Sequence, residues 1–175
     1  MTQTAGEPLA LPPGTWEIPV RGGSMQPTLT DGDQVRVLVP HDRLQRGDLL
    51  LVRAGGTRYV HRYLGLWRRR PITKGDAHPG FDGWVCRQED ILGRVLFGEP
   101  PAARALAAWG GVVTGLLWGL ARRLDGVPPD VRGPAGACTA DVAALNGAIQ
   151  RFAGRLRGAS TAERSIGTHR NIGIV

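Results

Sequence analysis

The sequence predicts a mainly β fold, a compact antiparallel domain over residues 1–100 followed by C-terminal helices. Three observations predict it. The 175 residues include 26 Gly and 13 Pro, which favours short strands joined by tight turns over long helices. Short stretches alternate with a period of two through the first hundred residues, as half-buried strands do. Past Glu99-Pro100-Pro101 that pattern gives way to a charge-free apolar run and then to helical spacing. At this length the chain supports one domain with a real core plus an appendage.

After a Pro-rich lead, Gln34 to Val39 sets Val35, Val37 and Val39 on one side of a first strand. Asp48 to Arg53 forms a second. Ala54-Gly55-Gly56-Thr57 supplies a two-residue Gly-Gly connection, a hairpin signal because both central positions need positive φ. The third strand is Arg58 to Leu64. With that tight turn Leu50 lies opposite His61, and His61 shares a face with Tyr59 and Tyr63 while Val60 and Arg62 face the other way. Further strands are expected at Pro71 to Lys74, Gly83 to Arg87 and Ile91 to Leu96, around a turn-rich stretch from Gly75 to Gly83, and the β domain ends near Gly98.

Residues 101–125 read as an apolar, membrane-associated helix. Positions 105–121 carry no charge and are bracketed by Arg104 and by Arg122-Arg123. That length is short of the roughly 20 residues that usually span a bilayer, and its glycines weaken a span further. Trp109 and Trp118 suit a membrane interface; the bland reading is a helix packed on the β domain. Residues 126–138 form a Pro/Gly linker. In 139–175, Val142, Leu145, Ile149, Phe152 and Leu156 recur at helical spacing, with Thr139 as N-cap and Arg151, Arg155 and Arg157 nearby. That amphipathic helix is expected to rest on a membrane or on its own protein, with a mobile tail from Ala159.

The formal net charge is +7, of which +2 falls in residues 1–100 and +5 in the remainder. A basic tail suits anionic lipid headgroups or a solvated surface, and nucleic acid is not the expected partner. Cys86 and Cys138 lie far apart without metal-ligand spacing, so no metal site and no cofactor are expected, and a disulfide between them is left open. Met1 to Pro13 has neither a basic start nor an apolar run, so a secretory signal is not visible there.

Chemistry points first to Gly22-Gly23-Ser24-Met25-Gln26-Pro27-Thr28-Leu29. Glycines before a serine allow close backbone approach, and Pro27 fixes the following turn, so Ser24 is presented at a sharply bent point. A serine hydroxyl needs a base. Among His41, His61, His78 and His169, His61 alone is central in a predicted strand, and Lys74 is the single lysine.

Gly-Ser-Met-x-Pro-Thr-Leu with Gly32-Asp33-x-Val35, then Arg46-Gly47-Asp48-Leu49, Val60-His61-Arg62, Thr73-Lys74-Gly75-Asp76 with Asp82, and Leu92-Gly93-Arg94-Val95 follow in an order that resembles the type I signal peptidases. The resemblance covers about residues 18–97. Val60-His61-Arg62 looks like the branch of the endoplasmic reticulum and archaea, which carries histidine where bacterial enzymes carry lysine. It implies Ser24 as nucleophile, His61 as general base and a carboxylate that orients the imidazole. Asp82 matches that role and Asp76 a second acidic position; the alternative for Asp76 is that it caps the Gly75 to Gly83 turn. Lys74 is then structural or near the substrate.

The resemblance implies a serine endopeptidase that removes a signal or leader peptide from a precursor protein at a membrane. Two departures qualify it. Relatives carry a hydroxyl residue two positions before the nucleophile, where it helps to hold the oxyanion, and this chain has Gly22; loss of one such donor costs about a hundredfold or more in turnover. Relatives also carry an N-terminal anchor, so attachment through 105–121 leaves the side of the membrane open, with a cytoplasmic location as the alternative. A catalytically impaired peptide-binding module of the same fold is the competing function, with Gly22 as its best support.

Overall fold

The computed structural model describes residues 11–41, 43–82, 86–124 and 137–167. Among these residues six strands form one antiparallel sheet: β1 (Gly14–Pro19), β2 (Gln34–Val39), β3 (Leu49–Ala54), β4 (Thr57–Trp67), β5 (Arg70–Lys74) and β6 (Ile91–Val95). Their spatial order is β1-β2-β6-β3-β4-β5. Two helices follow, α1 (Pro101–Leu124) and α2 (Ala137–Gly167). The predicted class, a β domain followed by C-terminal helices, is the observed one.

The β3–β4 hairpin follows from its turn. Gly55 and Gly56 take φ of 57° and 78°, the left-handed pair that a two-residue connection requires. The turn fixes the register, with Leu50 opposite His61 and Leu49 opposite Arg62. β3 is apolar on both faces: Leu49 and Leu51 join Val20, Met25, Leu29, Val35, Val37 and Val95 in one cluster. Leu50 and Val52 join Tyr63, Cys86 and Ile91 in another. β3 is thus packed on both sides, and β4 is paired to it along its first half.

Several boundaries differ from expectation. Within the Pro-rich lead before Gln34, where no strand is expected, β1 pairs antiparallel with β2, from Gly14 opposite Val39 to Pro19 opposite Gln34. It is an exposed edge strand without apolar alternation, so the sequence carries no periodic signal for it. β4 runs 11 residues, beyond Leu64 to Trp67. The strand expected over Gly83 to Arg87 lies partly outside the described residues; Cys86 and Arg87 are not in a strand and lead into a 3-10 turn at Gln88–Asp90.

α1 covers the predicted apolar segment. α2 begins at Ala137, so Thr139 lies inside the helix rather than at its cap, and the helix continues to Gly167, past the expected mobile start at Ala159. Most of the predicted linker lies outside the described residues. The face that α2 buries also differs from the apolar stripe: Asn146, Gln150 and Ala153 are buried, whereas Leu145 and Phe152 are exposed. α1 presents small residues inward, Ala103, Ala107, Gly110, Gly111, Thr114 and Gly115, so neighbours approach closely. Its Gly111 lies against Leu64 of β4 and its Gly110 against Ile149 of α2.

Candidate active site

Ser24 lies in the loop between β1 and β2. Met25 and Leu29 drive that loop into the core, and Thr28 N–H and Leu29 N–H both donate to the Met25 carbonyl, at 2.8 and 3.1 Å. Ser24 stays half-buried between these anchors and the surface. Its own carbonyl accepts the Ala77 N–H at 2.9 Å, which fastens the loop to the chain just after β5.

His61 sits mid-strand in β4 and is 2% exposed. Its Nε2 lies 3.1 Å from Ser24 Oγ. On the opposite ring edge Nδ1 lies 2.8 Å from Asp82 Oδ2. Beside an ionised carboxylate Nδ1 is the donor, which leaves the Nε2 lone pair facing the serine hydroxyl. Asp82 is itself held: Thr73 Oγ1 donates to its Oδ2 at 2.6 Å, and its N–H donates to the Thr73 carbonyl at 3.1 Å. The tilted ring of Tyr59, 5.7 Å from His61 centre to centre, walls one side.

Close approach at Gly75 makes this possible. A β-carbon there would stand 2.6 Å from the Ser24 carbonyl oxygen and 3.2 Å from both His61 Nε2 and His78 Nδ1. His78, within the turn-rich stretch from Gly75 to Gly83, therefore borders the site, its ring edge-on to His61 at 6.2 Å.

The two candidate aspartates separate. Asp82 contacts the imidazole, and Asp76 instead accepts Arg62 Nε and Nη2, each at 2.8 Å, and the Thr28 hydroxyl. Arg62 also donates to Glu99 at 2.7 Å and to the Gly47 carbonyl at 2.8 Å, and Arg157 of α2 reaches the same Glu99. Burial opposes the Arg62 charge, but the carboxylates of Asp76 and then Glu99 outweigh it and raise its pKa. Asp76 thus belongs to a buried ion-pair network under the Ser24 loop.

Lys74 is likewise buried, and its Nζ donates to Asn146 Oδ1 of α2 at 2.8 Å. Burial pulls its pKa down to about 8 against the opposing pull of Asp76 and Asp82. Cys86 is a free buried thiol pushed up to about 11, chiefly by burial, and so is a poor nucleophile. Among the described residues no group of three or more His, Cys, Asp or Glu converges to hold a metal ion.

Glu99, Asn146 and Thr114 escaped the sequence reading. Asn146 could have been found from its spacing, because Asn146, Gln150 and Ala153 form a small and polar row at helical intervals that matches the glycine-rich row of α1. At Gly22, φ is 82°, a conformation that disfavours a side chain, and its N–H donates to Asp31 Oδ1 at 2.7 Å. The position two before Ser24 is thus adapted to glycine. Comparison of the chain with protein-family models, with curated proteins and with solved structures finds no match.

Proposed function

We propose that the chain is a serine endopeptidase that cleaves a signal or leader peptide from a precursor protein. The observation that carries this reading is the unbroken line from Ser24 Oγ through His61 to Asp82, at 3.1 and 2.8 Å. Ser24 Oγ attacks the scissile carbonyl carbon as its proton passes to His61 Nε2. The imidazolium, stabilised by Asp82, returns that proton to the leaving amine as the C–N bond breaks. Water then attacks the Ser24 ester, giving up a proton to His61, and the new carboxyl group leaves as Ser24 recovers its proton. Intact-mass analysis of a model leader peptide incubated with wild type and with Ser24→Ala tests the reading; cleavage in the wild type that vanishes in the variant is expected, and equal cleavage by both rejects it.

The competing binding module draws on one observation. Gly22 offers no hydroxyl beside the nucleophile, and its backbone conformation is one in which a serine would be strained. A folded chain that binds the peptide and leaves it intact identifies that case.

Among the described residues one helix, α1, is long and apolar enough by length and composition to cross a membrane, and 39% of its apolar window is buried within the protein. The small-residue face is spent on internal packing, while Trp109, Val113, Leu116, Leu120 and Leu124 are exposed along the helix. Helix α1 therefore reads as resting against a bilayer through this outer face. Arg104 and Arg122-Arg123 at its two ends suit anionic headgroups.

A further inference from the structure

Asn146 of α2 is 72 residues from Lys74 and 70 from Asp76 in sequence, yet its amide contacts both. Its Oδ1 accepts from Lys74 Nζ at 2.8 Å and from Thr114 Oγ1 at 3.1 Å, and its Nδ2 donates to the Asp76 carbonyl at 3.0 Å. Asn146 is 2% exposed, and Lys74, Asp76 and Thr114 are buried with it. The sense of the amide is fixed, because a flip would set its NH2 against the Lys74 ammonium, donor against donor. An asparagine so satisfied specifies one geometry, and an apolar side chain there would leave the Lys74 ammonium and the Asp76 carbonyl buried without these partners.

What that geometry holds is a run of five residues. Thr73 donates to Asp82, and Lys74 donates to Asn146. Gly75 runs so close to the Ser24 carbonyl and to His61 Nε2 that a β-carbon there would stand 2.6 and 3.2 Å from them. The Asp76 carbonyl accepts from Asn146, and Ala77 N–H donates to the Ser24 carbonyl. Each residue of 73–77 therefore touches either a member of the Ser24–His61–Asp82 line or the helix α2 amide. A second tie from the same helix converges on the same point, since Arg157 reaches Glu99, Glu99 holds Arg62, and Arg62 holds the Asp76 carboxylate.

We propose that α2, acting through Asn146, positions segment 73–77 and thereby sets Ser24 and Asp82 about His61, which makes the C-terminal helices a working part of the site. Asn146 is a positioning residue, and its consequence for Ser24 reactivity rests on the peptidase reading. The backbone consequence does not. Without the amide, the Asp76 carbonyl and the Lys74 ammonium lose buried partners, and the segment opens locally ahead of the sheet.

The test uses the full chain as wild type, Asn146→Ala and Asn146→Asp. The aspartate keeps an acceptor for Lys74 and Thr114, and so holds the helix, but lacks the donor to the Asp76 carbonyl. Amide exchange followed by NMR is expected to accelerate at Ala77 and His78 by about tenfold or more in both variants, with the β3–β4 hairpin amides unchanged. Phosphonylation of Ser24 by a fluorophosphonate probe, read by intact mass with Ser24→Ala as the blank, is expected to slow in parallel. If Asn146→Ala fails to fold, Asn146→Asp decides. Exchange at Ala77 that matches wild type in Asn146→Asp, or that rises equally across loop, hairpin and helices, overturns the proposal. Absence of labelling in the wild type would count against the peptidase reading, and the exchange measurement would still decide the positioning role.

Discussion

His61 Nε2 lies 3.1 Å from Ser24 Oγ across 37 residues of sequence. The imidazole is carried by a strand whose register is fixed by the Gly55-Gly56 turn, and the hydroxyl by a loop whose Met25 and Leu29 are buried in the core. Neither group owes its position to a long flexible connection, so the pair is preorganised. Asp82 completes the line from the other ring nitrogen.

Asp82→Asn is expected to lower cleavage of a leader peptide by about 10⁴-fold, because an amide in place of the carboxylate favours the wrong imidazole tautomer. Far-ultraviolet circular dichroism should remain that of the wild type. Steady-state kinetics of the purified variant checks it, and a loss below about tenfold would remove Asp82 from the role.

Gly75→Ala is expected to destabilise the fold by about 1–3 kcal/mol, since the new methyl group meets the Ser24 backbone rather than a flexible side chain. Cleavage should fall by about a hundredfold or more, because a shift near 1 Å separates hydroxyl and imidazole. Urea denaturation and kinetics on the same preparation measure both; full activity with normal stability would contradict the close approach.

Lys74 gives a stability signature with pH. Its pKa falls from 10.5 in the unfolded chain to about 8 in the fold, chiefly through burial. Between those values the unfolded state binds more protons, so this group's contribution rises with pH across pH 8 to 10.5 and is unfavourable below pH 8. The difference is about 3 kcal/mol. Lys74→Met should flatten that rise in the urea midpoint, and parallel curves for wild type and variant would refute it.

Arg62→Leu leaves the carboxylates of Asp76 and Glu99 buried without their shared guanidinium, and about 3–5 kcal/mol of stability should be lost. Arg157→Ala removes the outer partner of Glu99 while Arg62 remains, and about 1–3 kcal/mol is expected. Equal losses in urea titrations would show that the network is not ordered this way.

Sedimentation with anionic vesicles after a high-salt wash addresses the outer face of α1. Wild type should remain bound, and Leu116→Asp with Leu120→Asp should release it while peptide cleavage in solution is retained. Unchanged binding by the double variant would assign the contact to another surface.

The β hairpin, the strand position of His61 and the serine loop were legible because local chemistry specifies them: a Gly-Gly turn, alternating valines and a Gly-Ser bend. The separation of Asp82 from Asp76 was not, since it depends on which carboxylate Arg62 captures across the sheet. β1 was hidden because an edge strand needs no apolar alternation. The packing of α2 was not legible from its apolar stripe, because helices that meet through glycine and alanine bury short and polar side chains, and leave Leu145 and Phe152 outside. Asn146 therefore stood within a helix the sequence predicted, on the face it did not.

Trapping a covalent intermediate on Ser24 decides whether its hydroxyl is the nucleophile. Acid quenching of wild type during cleavage of a leader peptide, followed by intact-mass and fragment analysis, should reveal the N-terminal peptide fragment esterified to Ser24, with neither adduct nor cleavage in Ser24→Ala or His61→Ala. Cleavage that persists in Ser24→Ala, or an adduct mapped to another residue, would contradict it.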